Sequence, residues 1–427
     1  MTKIMRKLPT VALIIVLLLS ACGTATPEPT TAPTDTPEVE ATAPVEGPEA
    51  PTSVPPTANP GDPVEVTAPE TPGMCQAAPL PELDVREADE TDWVKGTPLD
   101  EAEMIIYEYS DFQCPGCAGM YPVLESFLEL NPGTALVYRH FPLDFHEHAQ
   151  ITSEAAEAAG AQGKFWEMHN ILFDNTSEWI PLSADEIRDQ LSTYAEEIGL
   201  DVEQFNEALE EGTYTEKVQG QYDESRELQL PGTPSFIFDN VLFPSDIGLS
   251  LQGLTAFLNI IERQDEIFFP APPEMTIDED SEYEAVLTTS KGDIRVNLLP
   301  KSAPVHVNNF VFLAQEQWYS GSDFFFVRDD FVAVTGDPTN STVGYPGYYC
   351  QGETESTFDR PGLMGMLANG QFFLTLGADA SQLSGQFALI GQVVEGLDVL
   401  DELTRRVVGD PSAPAADVVE SIQIIQN

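Results

Sequence analysis

The feature that most limits what this chain can fold into is Cys114-Pro115-Gly116-Cys117, which sits between two differently patterned segments. Before it, Met104-Ile105-Ile106-Tyr107-Glu108-Tyr109 is an apolar run of strand length. After it, Met120, Leu124, Phe127 and Leu128 recur at helical spacing. A cysteine pair that ends a buried strand and opens a helix is a redox arrangement. The first thiol lies where unpaired N–H groups and the helix dipole stabilise a thiolate. The second lies one turn further in and can attack a mixed disulfide. Cys114 is therefore the expected nucleophile and Cys117 the resolving thiol. Half of a zinc site and a purely structural disulfide stay open as alternatives. Zinc wants a second Cys/His pair at ligand spacing, which Cys75 and Cys350 do not supply. His146-Glu147-His148 has no evident third ligand, and its histidines are expected to be solvated or to cap a helix. No metal and no other cofactor is expected.

The pattern along the chain gives the organisation. Ala135-Leu136-Val137-Tyr138 reads as a second strand, and Ala155 to Ala161 as an Ala-rich helix. More helix is expected from Phe165 to about Leu209. Ser235 to Phe238 is a short strand directly after Pro231-Gly232-Thr233-Pro234, and Leu249 to Ile261 a closing helix. Residues 268–281 are rich in Pro and acids and read as a linker. Beyond them the pattern turns mostly β. Tyr283 to Thr289 and Asp293 to Leu298 alternate around Lys291-Gly292 as a hairpin, and Val305 to Leu313 is a helical patch. The predicted units are 1–21, a leader; 22–92, a disordered tether; 93–265, an α/β domain; 266–281, a linker; and 282–427, a mostly-β domain.

Charge and the N-terminus set the compartment. The 427 residues hold 18 basic and 71 acidic side chains, a formal charge of −53. Nucleic acid is excluded as a partner, since phosphate affinity comes from Lys and Arg, and so is electrostatic adhesion to anionic lipid. Lys3, Arg6 and Lys7 precede the apolar run Val11 to Leu19, the order of a secretory signal peptide. Leu19-Ser20-Ala21-Cys22 resembles a bacterial lipobox, which implies that Cys22 becomes a lipidated N-terminus. From Gly23 to Gly73 the chain is mainly Pro, Thr, Ala and Glu, too poor in large apolar side chains to offset its chain entropy.

Tyr107-Glu108-Tyr109-Ser110-Asp111-Phe112-Gln113-Cys114-Pro115-Gly116-Cys117, with Gly232-Thr233-Pro234-Ser235 much later, resembles the DsbA-like branch of the thioredoxin superfamily. His140-Phe141-Pro142-Leu143 and Gly163-Lys164-Phe165-Trp166 continue the likeness, which covers residues 100–262. It implies a thioredoxin-like fold with a helical insertion. It also implies that Pro234 is cis and faces the cysteines, that Thr233 offers its backbone to an extended substrate, and that Glu108 is a buried acid moving protons for the inner thiol.

Thr288-Thr289-Ser290-Lys291-Gly292-Asp293-Ile294, Val307-Asn308-Asn309-Phe310, Gly336-Asp337-Pro338, Met366-Leu367-Ala368-Asn369 and Gln371-Phe372-Phe373-Leu374-Thr375 resemble a cyclophilin. The likeness implies a cyclophilin-like barrel and a proline-binding pocket walled by Phe331, Phe373 and Leu383. It also places Phe326 at the family's catalytic arginine position, Phe325 at its preceding histidine, Val334 at its glutamine, Phe387 at its late histidine and Gln382 at its tryptophan. Arg328 stands two positions late, on the same strand face as 326, where a shifted loop would let it substitute. A phenylalanine cannot donate to the proline nitrogen, so this domain is expected to bind clients with weak or absent isomerase activity.

These readings combine into a lipid-anchored, extracytoplasmic folding factor on the outer face of a bacterial membrane. Its expected partners are secreted or surface polypeptides and a membrane redox partner, either a quinone-linked oxidase or a reductant. The alternatives are a dedicated disulfide reductant and a non-catalytic binding protein. Cys75 and Cys350 remain, and outside the cytoplasm two such thiols can be oxidised together. The sequence leaves that pairing open.

Overall fold

The computed structural model describes residue 64, residues 67–410 and residues 412–427; the expected leader, Cys22 and most of the expected tether lie outside the described residues. The last part of that tether is corrected. Strand β1 (Met74–Ala77) pairs antiparallel with Tyr348–Gln351 of the second domain, and Cys75 is disulfide-bonded to Cys350 directly opposite. Upstream, the Thr71 N–H donates to Glu355 at 2.9 Å and the Thr71 carbonyl accepts from the Glu353 N–H at 3.0 Å. Downstream, Glu82 bridges to Val241 and the Leu83 N–H donates to the Asn240 carbonyl at 2.7 Å, both in the first domain. Residues 67–92 therefore form a strap over both domains. Backbone pairing and a covalent bond hold it where side-chain burial alone would not.

The first domain is built on a sheet of β2 (Trp93–Gly96), β3 (Met104–Ser110), β4 (Thr134–His140), β5 (Ser235–Phe238) and β6 (Val241–Leu242), in the order β2-β4-β3-β5-β6. Only the β3–β4 pair is parallel. Central β3 is covered on both faces, which is why it carries apolar residues without alternation. It runs through Ser110 into the turn that delivers Cys114, and the active-site helix Pro115–Leu130 begins at once. Pro115 occupies its first turn, where a missing N–H costs nothing.

The insertion between β4 and β5 is all helical: Ala149–Ala161, Phe165–Asp174, Thr176–Trp179, Ala184–Glu197, Val202–Glu211 and Thr215–Glu227. The helix expected from Phe165 to about Leu209 is thus several shorter ones. A capping box of Ser183 with Glu186 and the Asp201 side chain start two of them, which the apolar periodicity alone could not show. The closing helix, Leu251–Ile267, is capped by Ser250. It runs past the expected boundary at 265, and Ile267 joins the core of the second domain.

The expected linker is likewise seated. Phe269 donates its N–H to the Pro346 carbonyl at 3.0 Å, and Asn308 Oδ1 accepts from the Thr276 N–H at 2.8 Å. Phe268 and Phe269 lie against Tyr345 and Phe312, with ring centroids 4.8 Å apart in both pairs.

The second domain comprises β7 (Tyr283–Thr289), β8 (Gly292–Leu298), β9 (Ser322–Asp323), β10 (Phe326–Val327), β11 (Val332–Thr335), β12 (Tyr348–Gln351), β13 (Leu363–Met366), β14 (Phe372–Thr375), β15 (Ala388–Glu395) and β16 (Val418–Gln426). All but β12 form one curled sheet ordered β10-β11-β14-β13-β15-β8-β7-β16-β9. Its two edge strands, β9 and β10, are separated in the chain only by Phe324 and Phe325, so the curl brings the edges together. The helix Pro304–Gln315 covers the sheet and places Val307, Phe310 and Leu313 in the core. Its first N–H groups, of Val305 and His306, donate to the Glu353 carboxylate at 3.0 and 3.1 Å.

The disulfide spans 275 residues of sequence, so the loop-entropy argument gives up to about 5 kcal/mol of stabilisation. Replacing both Cys75 and Cys350 by Ser is expected to lower the denaturant midpoint of the full chain. An unchanged midpoint would mean that backbone pairing holds the strap without the bond.

Candidate active site

The active-site turn places both sulfurs at the start of one helix in unlike surroundings. Cys114 is the N-cap residue, in extended conformation, and its Sγ lies 3.3 Å from the Thr233 carbonyl oxygen. The Thr233–Pro234 bond is cis. Pro234 packs so closely on Gly116 that a Cβ there would meet Pro234 Cδ at 3.2 Å. Cys117, one turn in, is fully buried; both thiols are free.

The electrostatics separate the two. The Cys114 thiol is pulled down to about 5, chiefly because Cys117 donates to it, and then through the Thr233 hydroxyl and the N–H groups of Cys117 and Gly116. These outweigh the partial burial that pushes the other way. Cys117 is raised well above a normal thiol, first by burial and then by the Cys114 sulfur beside it. Glu108, on β3 beneath them, is raised to about 7 by burial in the sheet. Lys95, which pairs with Glu125, partly counters this. One thiolate bordering the surface, one protonated inner thiol and one acid titrating near neutrality are the parts that thiol–disulfide exchange needs.

A cavity of about 500 Å³ opens beside Cys114 between the Pro231–Thr233 segment and Phe141, Leu143, Phe145, Tyr222 and Arg226. Phe145 is 79% exposed at its rim. Asp111, which sequence reasoning passed over, fixes this rim. Fully buried, it accepts from the Gln113 N–H at 2.7 Å and the Leu143 N–H at 2.9 Å, and bonds His146 Nδ1 at 2.7 Å. It ties the cysteine turn to the loop that carries Phe145. The one available sequence signal was an acid three residues before Cys114.

His146 is thus bound to Asp111 rather than solvated. His148 stands at the N-cap of the helix Ala149–Ala161, with its Nε2 2.8 Å from the Leu182 carbonyl. Among the described residues no group of three His, Cys, Asp or Glu side chains converges as a metal site would require.

In the second domain Phe331, Phe373 and Leu383 do come together, in one apolar cluster with Phe325, Phe326, Phe358 and Leu389. Val334 and Phe387 pack against that cluster, and so does Val64 from beyond the strap. The positions read as lost donors are therefore part of the apolar wall. Gln382 is exposed and bonds the Asp379 carbonyl. Arg328, half-buried, lays its guanidinium 4.3 Å from the ring centre of Phe331, one of the wall residues.

Fold and sites define a two-domain chain, a thioredoxin-like domain followed by a cyclophilin-type domain. Residues 89–259 match the family described as Thioredoxin. Residues 285–425 match the family described as Cyclophilin type peptidyl-prolyl cis-trans isomerase/CLD. Curated relatives include Na(+)/H(+) antiporter NhaA 1 of Salinispora arenicola, 39% identical over 137 residues, covering 32% of this chain and 20% of that protein. Another is peptidyl-prolyl cis-trans isomerase sig-7 of Caenorhabditis elegans, 30% identical over 158 residues, covering 33% of this chain and 37% of that one. The chain thus spans only a minor part of the curated relatives it matches. Among solved structures, a thioredoxin-like oxidoreductase from Silicibacter pomeroyi DSS-3 is 26% identical, covers 41% of this chain and 94% of its own, and has a TM-score of 0.35.

Two outcomes follow from the titrations. Alkylation of Cys114 is expected to rise through pH of about 5 and reach a plateau by neutrality, with Cys117 unreactive. A midpoint near that of a free thiol, about 8.5, would contradict the geometry. Glu108 has a raised pKa, so its contribution to folding is full below its unfolded value of 4.5 and is lost as pH rises through about 7. Glu108→Gln should therefore raise the unfolding midpoint at pH 8, by on the order of 3 kcal/mol, and leave it unchanged at pH 4. Equal midpoints at pH 8 would mean that the carboxyl is not desolvated.

Proposed function

We propose that this chain is a thiol–disulfide oxidoreductase of extracytoplasmic polypeptides, lipid-anchored through Cys22, whose cyclophilin-type domain holds clients rather than turning them over. The observation that carries the redox reading is the split between the two thiols, Cys114 drawn down to about 5 and Cys117 raised by burial. In the oxidising direction a client thiolate attacks Cys114 Sγ of the oxidised pair. The Cys114–Cys117 bond breaks, a client–Cys114 bond forms, and Cys117 leaves as a thiolate that takes up a proton. A second client thiol then attacks the client sulfur, making the client disulfide and expelling Cys114 as a stabilised thiolate. Stabilising that thiolate stabilises the reduced enzyme, which favours this direction. The Thr233 backbone, 3.3 Å from Cys114 Sγ, and the open cavity with Phe145 at its rim are suited to an extended, partly apolar client segment.

The second domain cannot use the usual donor. Isomerisation faces a barrier of about 20 kcal/mol, and a donor at the proline nitrogen lowers it only by binding the twisted state better. Phe325 and Phe326 supply apolar surface instead. The position of the chain outside the cell rests on the leader and lipobox pattern. No helix among the described residues is long and apolar enough to cross a membrane.

The reduction potential of the pair, measured against glutathione in the full chain, tests the direction. A value toward about −120 mV supports the oxidant, and one near −270 mV would make the chain a reductant. Cys114→Ser should abolish client oxidation, and Cys117→Ser should accumulate a client–Cys114 mixed disulfide. Client oxidation that survives Cys114→Ser would end the redox reading. Proline isomerisation by the full chain should stay far below that of ordinary cyclophilins. Ordinary turnover would overturn the holding role.

A further inference from the structure

The buried face beneath Cys117 carries more polar chemistry than the two thiols and Glu108 account for. β3 and β4 run parallel with Glu108 opposite Tyr138 and Ser110 opposite His140. Residues two apart on a strand share a face, so these four side chains make one patch. All four are essentially inaccessible to solvent. Three of them hold a buried polar atom without a hydrogen bond of normal length and angle: Ser110 Oγ, Tyr138 OH and His140 Nδ1. Leaving such atoms unpaired costs their full desolvation, and most native buried polar groups avoid it. Three in one patch, against the inner thiol of a redox pair, call for a reason other than packing.

Ser110 supplies one. Its hydroxyl shares a strand face with the Glu108 carboxyl beside the Tyr138 phenol, Tyr138 packs in one cluster with Cys117, and no hydrogen bond of normal length and angle locks the hydroxyl to any of them. A hydroxyl is at once donor and acceptor, and an unlocked one can turn between partners. The other titratable neighbours cannot take its place, and the second unpaired hydroxyl in the patch, the Tyr138 phenol kept neutral by burial, is told apart from Ser110 by Tyr138→Phe, which should leave the rate of mixed-disulfide resolution in place. His140 is engaged through Nε2 with Glu157 at 3.0 Å, and Glu157 in turn with Lys217 at 2.7 Å. His169, whose ring lies 5.3 Å from that of Tyr138, is kept neutral by burial and bonds Asn170. Asp111 is committed to Gln113, Leu143 and His146. Lys95 and Glu125 act on Glu108 from the outer side.

We propose that Ser110 is the proton relay between Cys117 and Glu108. The proposal rests on the exchange reaction above and names the group that serves its inner thiol. When a client–Cys114 disulfide is resolved, the Cys117 S–H proton passes to Ser110 Oγ as the proton of Ser110 passes to a Glu108 carboxylate oxygen. The Cys117 thiolate attacks Cys114 Sγ, the Cys114–Cys117 bond forms, the Cys114–client bond breaks, and the electron pair leaves on the client sulfur. In the oxidising direction each step reverses, and Glu108 returns the proton to the departing Cys117. Ser110 is unchanged over the cycle.

The test is single-turnover resolution of a mixed disulfide between Cys114 and a thiol peptide, in the full chain, from pH 5 to 9. Ser110→Ala should slow resolution about 10- to 100-fold while leaving the Cys114 alkylation midpoint in place. Ser110→Thr, which keeps the hydroxyl, should recover most of the rate. Glu108→Gln should slow the step and remove its inflection near 7. The double variant should be no slower than the slower single one, because both remove one path. The unmutated protein provides a check independent of any refolding: its rate should fall with deuterium fraction along a curve, as two moving protons require. A wild-type rate and pH profile in Ser110→Ala with a slow Glu108→Gln, or a linear deuterium dependence, would overturn the relay. A chain that forms no mixed disulfide at Cys114 would instead sink the oxidoreductase reading itself.

Discussion

The chemistry of the first domain depends on one asymmetry: two sulfurs three positions apart at a helix start, one facing an open cavity and one sealed against a sheet. The same bond, from the inner thiol to the outer sulfur, lowers one pKa and raises the other. That requires a helix beginning within a residue of the first sulfur, which Pro115 enforces, and a sheet beneath it that stays dry. β3 meets the second need because it is central and buried on both faces. The dryness that raises Cys117 also raises Glu108, so the acid and the thiol it serves are tuned by one cause.

The strap gives the two domains a common fate. Two independent domains on a flexible tether would sample each other at an effective concentration set by linker length. Here the chain enters along β12, is bonded covalently to it, crosses to β6 and only then begins the first sheet. The closing helix of the first domain ends in the core of the second. Buried Arg139 on β4 closes the arrangement, bonding Asp92, the Arg86 carbonyl and Glu224 from strap and insertion. The two domains are therefore held at a fixed spacing.

How much of this was legible follows from the range of each interaction. Cys114 to Cys117, the strand before them and the helix after them are local, and one stretch of sequence states them. Phe331, Phe373 and Leu383 were found through a resemblance and do meet in space. The strap was misread because its composition is rich in Pro and acids, while what holds it is backbone pairing, one disulfide and a few apolar side chains, Leu80, Leu83 and Val85, packed on the first domain. Asp111 was passed over because its partners Leu143 and His146 come from a loop 32 and 35 residues away. Ser110 was legible only as part of a motif. Its meaning appears when β4 brings Tyr138 and His140 alongside.

The second domain keeps its framework around a centre of apolar side chains. Phe325 and Phe326 join Phe331, Phe373 and Leu383 in one buried cluster with Val334 packed against it, and what such a cluster binds is selected by shape and burial instead of by a bond to a proline nitrogen. Binding of that kind stabilises the planar and twisted peptide alike, and uniform binding raises affinity without raising turnover. Arg328 lies over the Phe331 ring and lends the wall a positive charge. On the function proposed above, the value of such a cluster beside an exchange site is residence: it retains a client near Cys114 and imposes no choice on its proline isomers.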